Sequence, residues 1–203
     1  MACFRQGTHI ATSRGDIAVE DLRIGDRATL ARGPGSHAGV RWIGRRSIDC
    51  AGHPRPHDVW PVRVAAHGFG AGLPARDLWL SPDHAVFIDG VLIPVRCLLN
   101  DATVVQKHTS CITYFHVELP CHDMLLAEGL PCESYLDVGN RAAFENGGVV
   151  MQAHPDFASA TWEACGCAPL VVSGPKLEAA RLLVNKYAVD VMARRRAAGG
   201  RAA

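Results

Sequence analysis

Nowhere in this 203-residue chain do apolar residues run on for the roughly 18 positions that a bilayer-spanning helix requires. No membrane association is therefore expected. The first residues also lack the apolar stretch of a secretory signal. The expected compartment is the cytoplasm, unless the chain is the tail of a longer exported precursor. A formal net charge of +1 supplies too weak a field to attract nucleic acid, so that partner is not expected either. No cysteine pair has the two-residue spacing of a zinc site. Cys165-Gly166-Cys167 is one residue too tight and no second pair completes it, so neither a metal nor another cofactor is expected. Internal repeats are absent.

What is present suffices for a folded domain. Hydrophobic residues make up 48% of the chain, enough for a sizeable core. The eight cysteines (Cys3, Cys50, Cys97, Cys111, Cys121, Cys132, Cys165 and Cys167) are read as reduced thiols, given the chain length and the missing export signal. Cys97, in an apolar run, reads as a buried thiol.

The first two-thirds of the chain reads as many short strands. Thr8 to Thr12 alternates and ends at the turn cluster Ser13-Arg14-Gly15-Asp16. Val19 to Leu22 is a tight helical corner before Gly25-Asp26. Val40 to Ile43, Pro61 to Ala65, Asp77 to Leu80, Thr113 to Leu119 and Met124 to Leu126 are further strands, and their contexts place Trp42, Trp60 and Trp79 in the core. His84 to Ile88 and Val91 to Ile93 flank Asp89-Gly90. Asp-Gly between apolar runs predicts a type I′ hairpin, because both central residues need positive φ. Strands at this density without helical periods argue an all-β fold.

Beyond Ser134 the character changes. Tyr135 to Val172 mixes Gly, Pro and small residues and is expected to wrap the surface. Leu177, Ala180, Val184, Tyr187 and Val191 recur at three- and four-residue spacing and predict one amphipathic helix near 176–194. Arg194, Arg195 and Arg196 suit its C-terminus. Ala197 to Ala203 reads as a frayed end. The expected organisation is a β domain over 3–134 and a C-terminal appendage over 135–203.

A reactive residue type stands at the head of the domain in Cys3-Phe4-Arg5-Gln6-Gly7-Thr8-His9-Ile10-Ala11-Thr12. A nucleophile placed there is poorly sited for foreign substrates and well sited to attack the peptide bond before itself. Ser81-Pro82-Asp83-His84 adds a hydroxyl and an imidazole, groups able to weaken such a bond. Ser81-Pro82-Asp83 also reads as a plain turn, His84 as a core histidine, and His122-Asp123 as turn-forming.

These residues resemble the Hint family, the autoprocessing module of hedgehog proteins and inteins, and most closely its bacterial Hint-domain members. Cys3-Phe4 with Gly7-Thr8 and Ile10 is similar to the opening block. Val19-Glu20 with Leu22, Gly25 and Asp26 is similar to the second. Ser81-Pro82-Asp83-His84 matches the Thr-x-x-His block with serine for threonine. Tyr114 to Leu119, His122-Asp123 and Ala127 to Leu130 resemble the closing blocks. The resemblance covers residues 3–134 and implies a flat, all-β horseshoe with Cys3 at its centre. Two positions depart from the intein pattern: Glu133-Ser134 stands where splicing inteins end in His-Asn, and His116 where the family has Asp or Cys.

The resemblance implies the following chemistry. Cys3 attacks the carbonyl of Ala2 in an N-to-S acyl shift. His84, with an ordinary pKa close to neutrality, protonates the leaving nitrogen. Ser81 holds the amide or the oxyanion, and His116 takes the thiol proton or orients the thioester. The preceding segment is released to an acceptor that the sequence does not name. Splicing is not expected, because Ser134 lacks the side-chain amide that cyclises, and Glu133 is no donor when ionised. The partner is the chain's own N-terminal precursor segment, and the domain is expected to act as a monomer. A degenerate module serving only in binding, or a Cys/His hydrolase acting on external substrates, are the competing readings.

Overall fold

The computed structural model describes residues 1–33, 35–148 and 157–199, with side chains of the last helix described to Arg194. Fourteen strands run along the first two-thirds. They are β1 (Phe4–Arg5), β2 (His9–Thr12), β3 (Gly15–Ala18), β4 (Arg27–Thr29), β5 (His37–Gly39), β6 (Trp42–Asp49) and β7 (Val62–Val64). They continue with β8 (Leu78–Leu80), β9 (Ala85–Ile88), β10 (Val91–Pro94), β11 (Val104–Gln106), β12 (Cys111–Glu118), β13 (Met124–Ala127) and β14 (Leu130–Glu133). One sheet has the order β11-β7-β8-β1-β12-β6. The other runs β10-β9-β14-β13-β2-β4-β5, with β3 on β2. The all-β expectation holds.

Local chemistry accounts for the corners. Asp89 and Gly90 take φ of 44° and 82°, the two left-handed residues of the expected hairpin, and β9 pairs with β10 in register Ile88↔Val91. Val19–Asp21 is the 3-10 corner that the sequence suggests. The strand read over Val40 to Ile43 starts later, at Trp42, and runs on to Asp49, because all eight of its residues pair with β12.

A large core gathers Phe4, Ile10, Val62, Leu78, Leu80, Val86 and Leu125. A smaller cluster holds Cys3, Trp42, Ile48, Cys50, Val59, Tyr114, Tyr135 and Phe144. Strand alternation explains the split at the N-terminus: Phe4 enters the large core, and the neighbouring Cys3 turns into the small one. Trp42 is buried, whereas Trp60 and Trp79 are half-buried. The guanidinium of Arg5 lies 4.9 Å over the Trp79 ring. Cys97 is likewise only partly buried.

The stretch expected as an appendage, residues 135–203, contains two α-helices among the described residues, not one. Helix α1 (Phe157–Cys165) falls where a surface wrap was expected. It buries none of its own residues, so it leaves no apolar period to read. Helix α2 (Pro175–Gly199) is the expected one and runs past 194 into the stretch expected to fray. Residues 149–156 of the expected wrap and 200–203 of the tail lie outside the described residues. Leu177, Ala180 and Val184 of α2 join the large core beside Val91, Val95 and Leu98. Tyr187 is half-buried, and Ala188, not Tyr187, completes the buried stripe to Val191. Among the described residues no helix is long and apolar enough to cross a membrane.

Candidate active site

Strand β1 lies between β8 and β12, with Phe4 paired to Leu80 and Phe115. That placement carries Cys3 to the end of β8, where Ser81 begins the turn into β9. The Ser81 amide donates to the Cys3 carbonyl at 2.9 Å. The Ser81 hydroxyl donates to the carbonyl of Met1 at 2.7 Å. One residue therefore grips the backbone on both sides of the Ala2–Cys3 peptide. The hydroxyl engages the carbonyl one residue upstream of Ala2, not that of Ala2 itself.

The turn continues with His84 N–H donating to the Ser81 carbonyl at 3.1 Å, and Val95 N–H to the His84 carbonyl at 2.9 Å. These bonds direct the imidazole inward. Its ring centre is 4.2 Å from that of Phe4 and 5.0 Å from that of His116. His84 is fully buried, and neither ring nitrogen meets a partner in hydrogen-bond geometry. Burial lowers its pKa to about 3, even though the backbones of Cys3 and Glu133 lie beside the ring and favour its charged form. The ring is thus neutral at pH 7, and the ordinary histidine value expected from sequence does not apply.

His116, on β12, is buried beside Tyr135, with ring centres 5.3 Å apart. Its Nδ1 accepts the N–H of Val117 at 3.2 Å, so the neutral ring carries its proton on Nε2. Burial first, then His84 and His122 nearby, hold its pKa well below the ordinary histidine value. Cys3 is 2% exposed. Burial pushes its thiol up to about 12, against the opposing pull of the Met1 amino group and Arg46. At rest the site therefore holds a protonated thiol and two neutral imidazoles. A cavity of about 420 Å³ opens on Cys3, Ser81, Tyr114, Arg46 and Met1.

All four residues singled out from sequence (Cys3, Ser81, His84 and His116) come together around β1. Three others were not assigned there. Asp83 contacts the amino nitrogen of Met1 and pairs with Arg96 at 2.8 Å. Glu133, at the end of β14, is 4% exposed and accepts the Ala85 N–H at 2.6 Å. Burial raises its pKa to about 8, so it is mostly protonated at neutral pH and the condition "when ionised" is not met there. The readable signal was a carboxylate inside an otherwise apolar strand. His122 does more than shape a turn: its ring is buried against Trp162 at 4.9 Å, with Nε2 3.8 Å from Glu133. Asp123 keeps the expected turn role, accepting the Met124 N–H at 2.8 Å and pairing with Arg32. Among the described residues no cluster of three or more His, Cys, Asp or Glu side chains is placed to hold a metal ion.

The Hint domain model matches residues 2–139. The chain belongs to the Hint domain family, and with it to autoprocessing-type domains in general. Among solved structures it is similar to the gp41-1 intein, at 9% identity over 65% of this chain and 98% of that one, with a TM-score of 0.48. It is similar to a DnaB intein from Synechocystis sp. PCC 6803, at 11% identity over 67% and 100% of the two chains, with a TM-score of 0.46. It is also similar to the bacterial intein-like domain from Clostridium thermocellum, at 11% identity over 66% and 99%, with a TM-score of 0.40. No curated protein matches the chain. The family is the one that the opening and closing blocks resembled.

Proposed function

We propose that Cys3 performs an N-to-S acyl shift on the Ala2–Cys3 peptide, and that the resulting thioester releases the segment preceding Cys3. The observation that carries this reading is the double grip of Ser81 on the flanking backbone, at 2.7 Å and 2.9 Å. It holds the bond next to the thiol in one geometry, and such positioning lowers the barrier of an intramolecular attack.

The proton account is closed within the site. The Cys3 sulfur bonds to the Ala2 carbonyl carbon, the carbon–nitrogen bond breaks, and one proton must travel from Sγ to the departing nitrogen. With the thiol and both imidazoles uncharged at rest and the Asp83 carboxylate held by Arg96, the transfer runs through a neutral imidazole. His84 suits it because both ring nitrogens are unpartnered: one accepts while the other donates. An imidazolium with so low a pKa is also a strong donor toward the amine. His116, with Nδ1 occupied, offers Nε2–H as a donor and not as a base.

Burial of Cys3 favours an intramolecular substrate over external peptides. The substrate is the chain's own preceding segment, the domain works as a monomer, and it does not splice, since Ser134 has no amide to cyclise. A reporter fused ahead of Met1 tests the reading. Added thiol or hydroxylamine is expected to release it from the wild type and not from Cys3→Ala. Equal release from both, or none from either, removes the acyl shift and leaves a binding module.

A further inference from the structure

A second cavity, of about 300 Å³, touches both Met1 and Ala2. It has room for several waters at roughly 30 Å³ each. Three carboxylate or imidazole side chains reach it: Asp83, His116 and Glu133. Asp83 is paired with the Arg96 guanidinium at 2.8 Å, a contact that does not depend on a free N-terminus. His116 has given its one lone pair to Val117. Glu133 is left. One of its oxygens accepts the Ala85 N–H. Its other oxygen has His122 Nε2 at 3.8 Å, too long for a hydrogen bond. That Nε2 is buried and unpartnered. The Nδ1 of His122 accepts the Cys167 N–H at 3.1 Å, so the His122 proton sits on Nε2 and faces the carboxyl group. Glu133, a buried acid–base residue with one carboxyl oxygen unpartnered, thus lines a cavity of mixed polar and apolar walls that also touches the acyl residue Ala2, and the acyl shift makes no use of it.

We propose, building on the acyl-shift reading, that water in this cavity is the acceptor of the thioester, that Glu133 is the catalytic base that activates it, and that His122 positions Glu133. The step balances. The water oxygen bonds to the Ala2 carbonyl carbon, and one water proton passes to the Glu133 carboxylate. The carbon–sulfur bond breaks with its electron pair left on Cys3 Sγ. Glu133 then returns the proton to that thiolate, and the second water proton leaves with the new carboxyl group. His122 and Cys167 face Glu133 on one side, Asp83 and the Met1 amino group on another, and His84 and His116 border it across the site. Burial holds the Glu133 proton up to about pH 8 with the Met1 amino group beside it; a segment joined to Met1 removes that cation, so hydrolysis speeds up with pH through that value and levels off above it.

The test is the N-terminal reporter fusion of the full chain in ¹⁸O-enriched water, with and without thiol, across pH. The expected result is one ¹⁸O in the carboxyl group of the released Ala2. In Glu133→Gln the ratio of hydrolysed to thiol-released product falls by about 10²-fold or more, and the rise of hydrolysis with pH is lost. Glu133→Asp recovers part of the ratio. His122→Leu, which removes the Nε2–H facing the carboxyl group and leaves that group in place, raises the pH midpoint of hydrolysis. Released product without ¹⁸O overturns the proposal, as does an unchanged ratio in Glu133→Gln or, should that variant not fold, an unmoved midpoint in His122→Leu. Failure of thiol to release the reporter from the wild type is a different outcome and removes the acyl shift beneath it.

Discussion

The hydroxyl of Ser81 donates to the carbonyl oxygen of Met1 at 2.7 Å, across a sequence gap that spans most of the strands of the domain. The contact exists because β1 and β8 are neighbours and Ser81 directly follows β8. It ties the peptide before Cys3 to the same turn that presents His84. The position of the bond to be attacked and the position of the proton carrier are thereby set by one short segment.

Breaking that tie measures its worth. Ser81→Ala is expected to slow thiol-dependent release of an N-terminal reporter by roughly 2- to 10-fold, the kinetic equivalent of one net hydrogen bond of about 0.5–1.5 kcal/mol. Ser81→Thr keeps the hydroxyl and is expected to be nearly neutral. The single-turnover rates of the two variants settle the matter.

His84→Ala is expected to reduce the acyl shift by about 10²-fold or more. The effect exceeds that of Ser81→Ala, because the proton path itself is lost. Circular dichroism reports whether the fold survives, and the rate of thiol-dependent release reports the chemistry.

Stability is expected to peak close to pH 6.5. The folded-state pKa values of His84 (about 3), His122 (about 4) and His116 lie below the ordinary 6.5, so the stability they contribute is present above pH 6.5 and lost as pH falls. Glu133 is raised from 4.5 to about 8, so its contribution is present below 4.5 and lost as pH rises through 8. Between 4.5 and 6.5 three histidines outweigh one carboxyl group; above 6.5 Glu133 acts alone, at up to about 1.4 kcal/mol per pH unit. Urea melts across pH are expected to show a decline from pH 6.5 to 8 in wild type that is absent in Glu133→Gln.

Alkylation is expected to rank the thiols by environment. Cys111 and Cys121 are exposed and should react at once, whereas Cys3, buried and protonated up to about pH 12, should be slow at pH 7. Its rate should climb about tenfold per pH unit as thiolate forms. Mass mapping of the modified peptides gives the order.

Gly70 tests how α2 is held. Its φ is +74°, and a Cβ there would lie 2.4 Å from the Tyr187 ring. Gly70→Ala is expected to cost ~1–3 kcal/mol through overpacking and backbone strain. The melting temperature should fall at about 2–4 °C per kcal/mol for a chain of this length.

Features governed by neighbours in sequence were legible from the chain alone. Asp89-Gly90 announced its hairpin because two adjacent residues must both take positive φ. Leu177, Ala180 and Val184 announced α2 because helical spacing is a local property. The residue types at Cys3, Ser81, His84 and His116 were readable in the same way, since nucleophile, hydroxyl and imidazole are fixed by identity and order. Helix α1 was not, because it buries no residue of its own and so leaves no period. Nor was the acid–base state of the site. The shifts of Cys3, His84 and Glu133 come first from burial, and burial arises where distant strands close over them. Glu133 reaches Ala85 only because β14 pairs with β9, with Cys132 opposite Val86. Sequence decided which groups are available. The pairing of strands far apart in the chain decided which of them lose water, and desolvation sets where their protons sit.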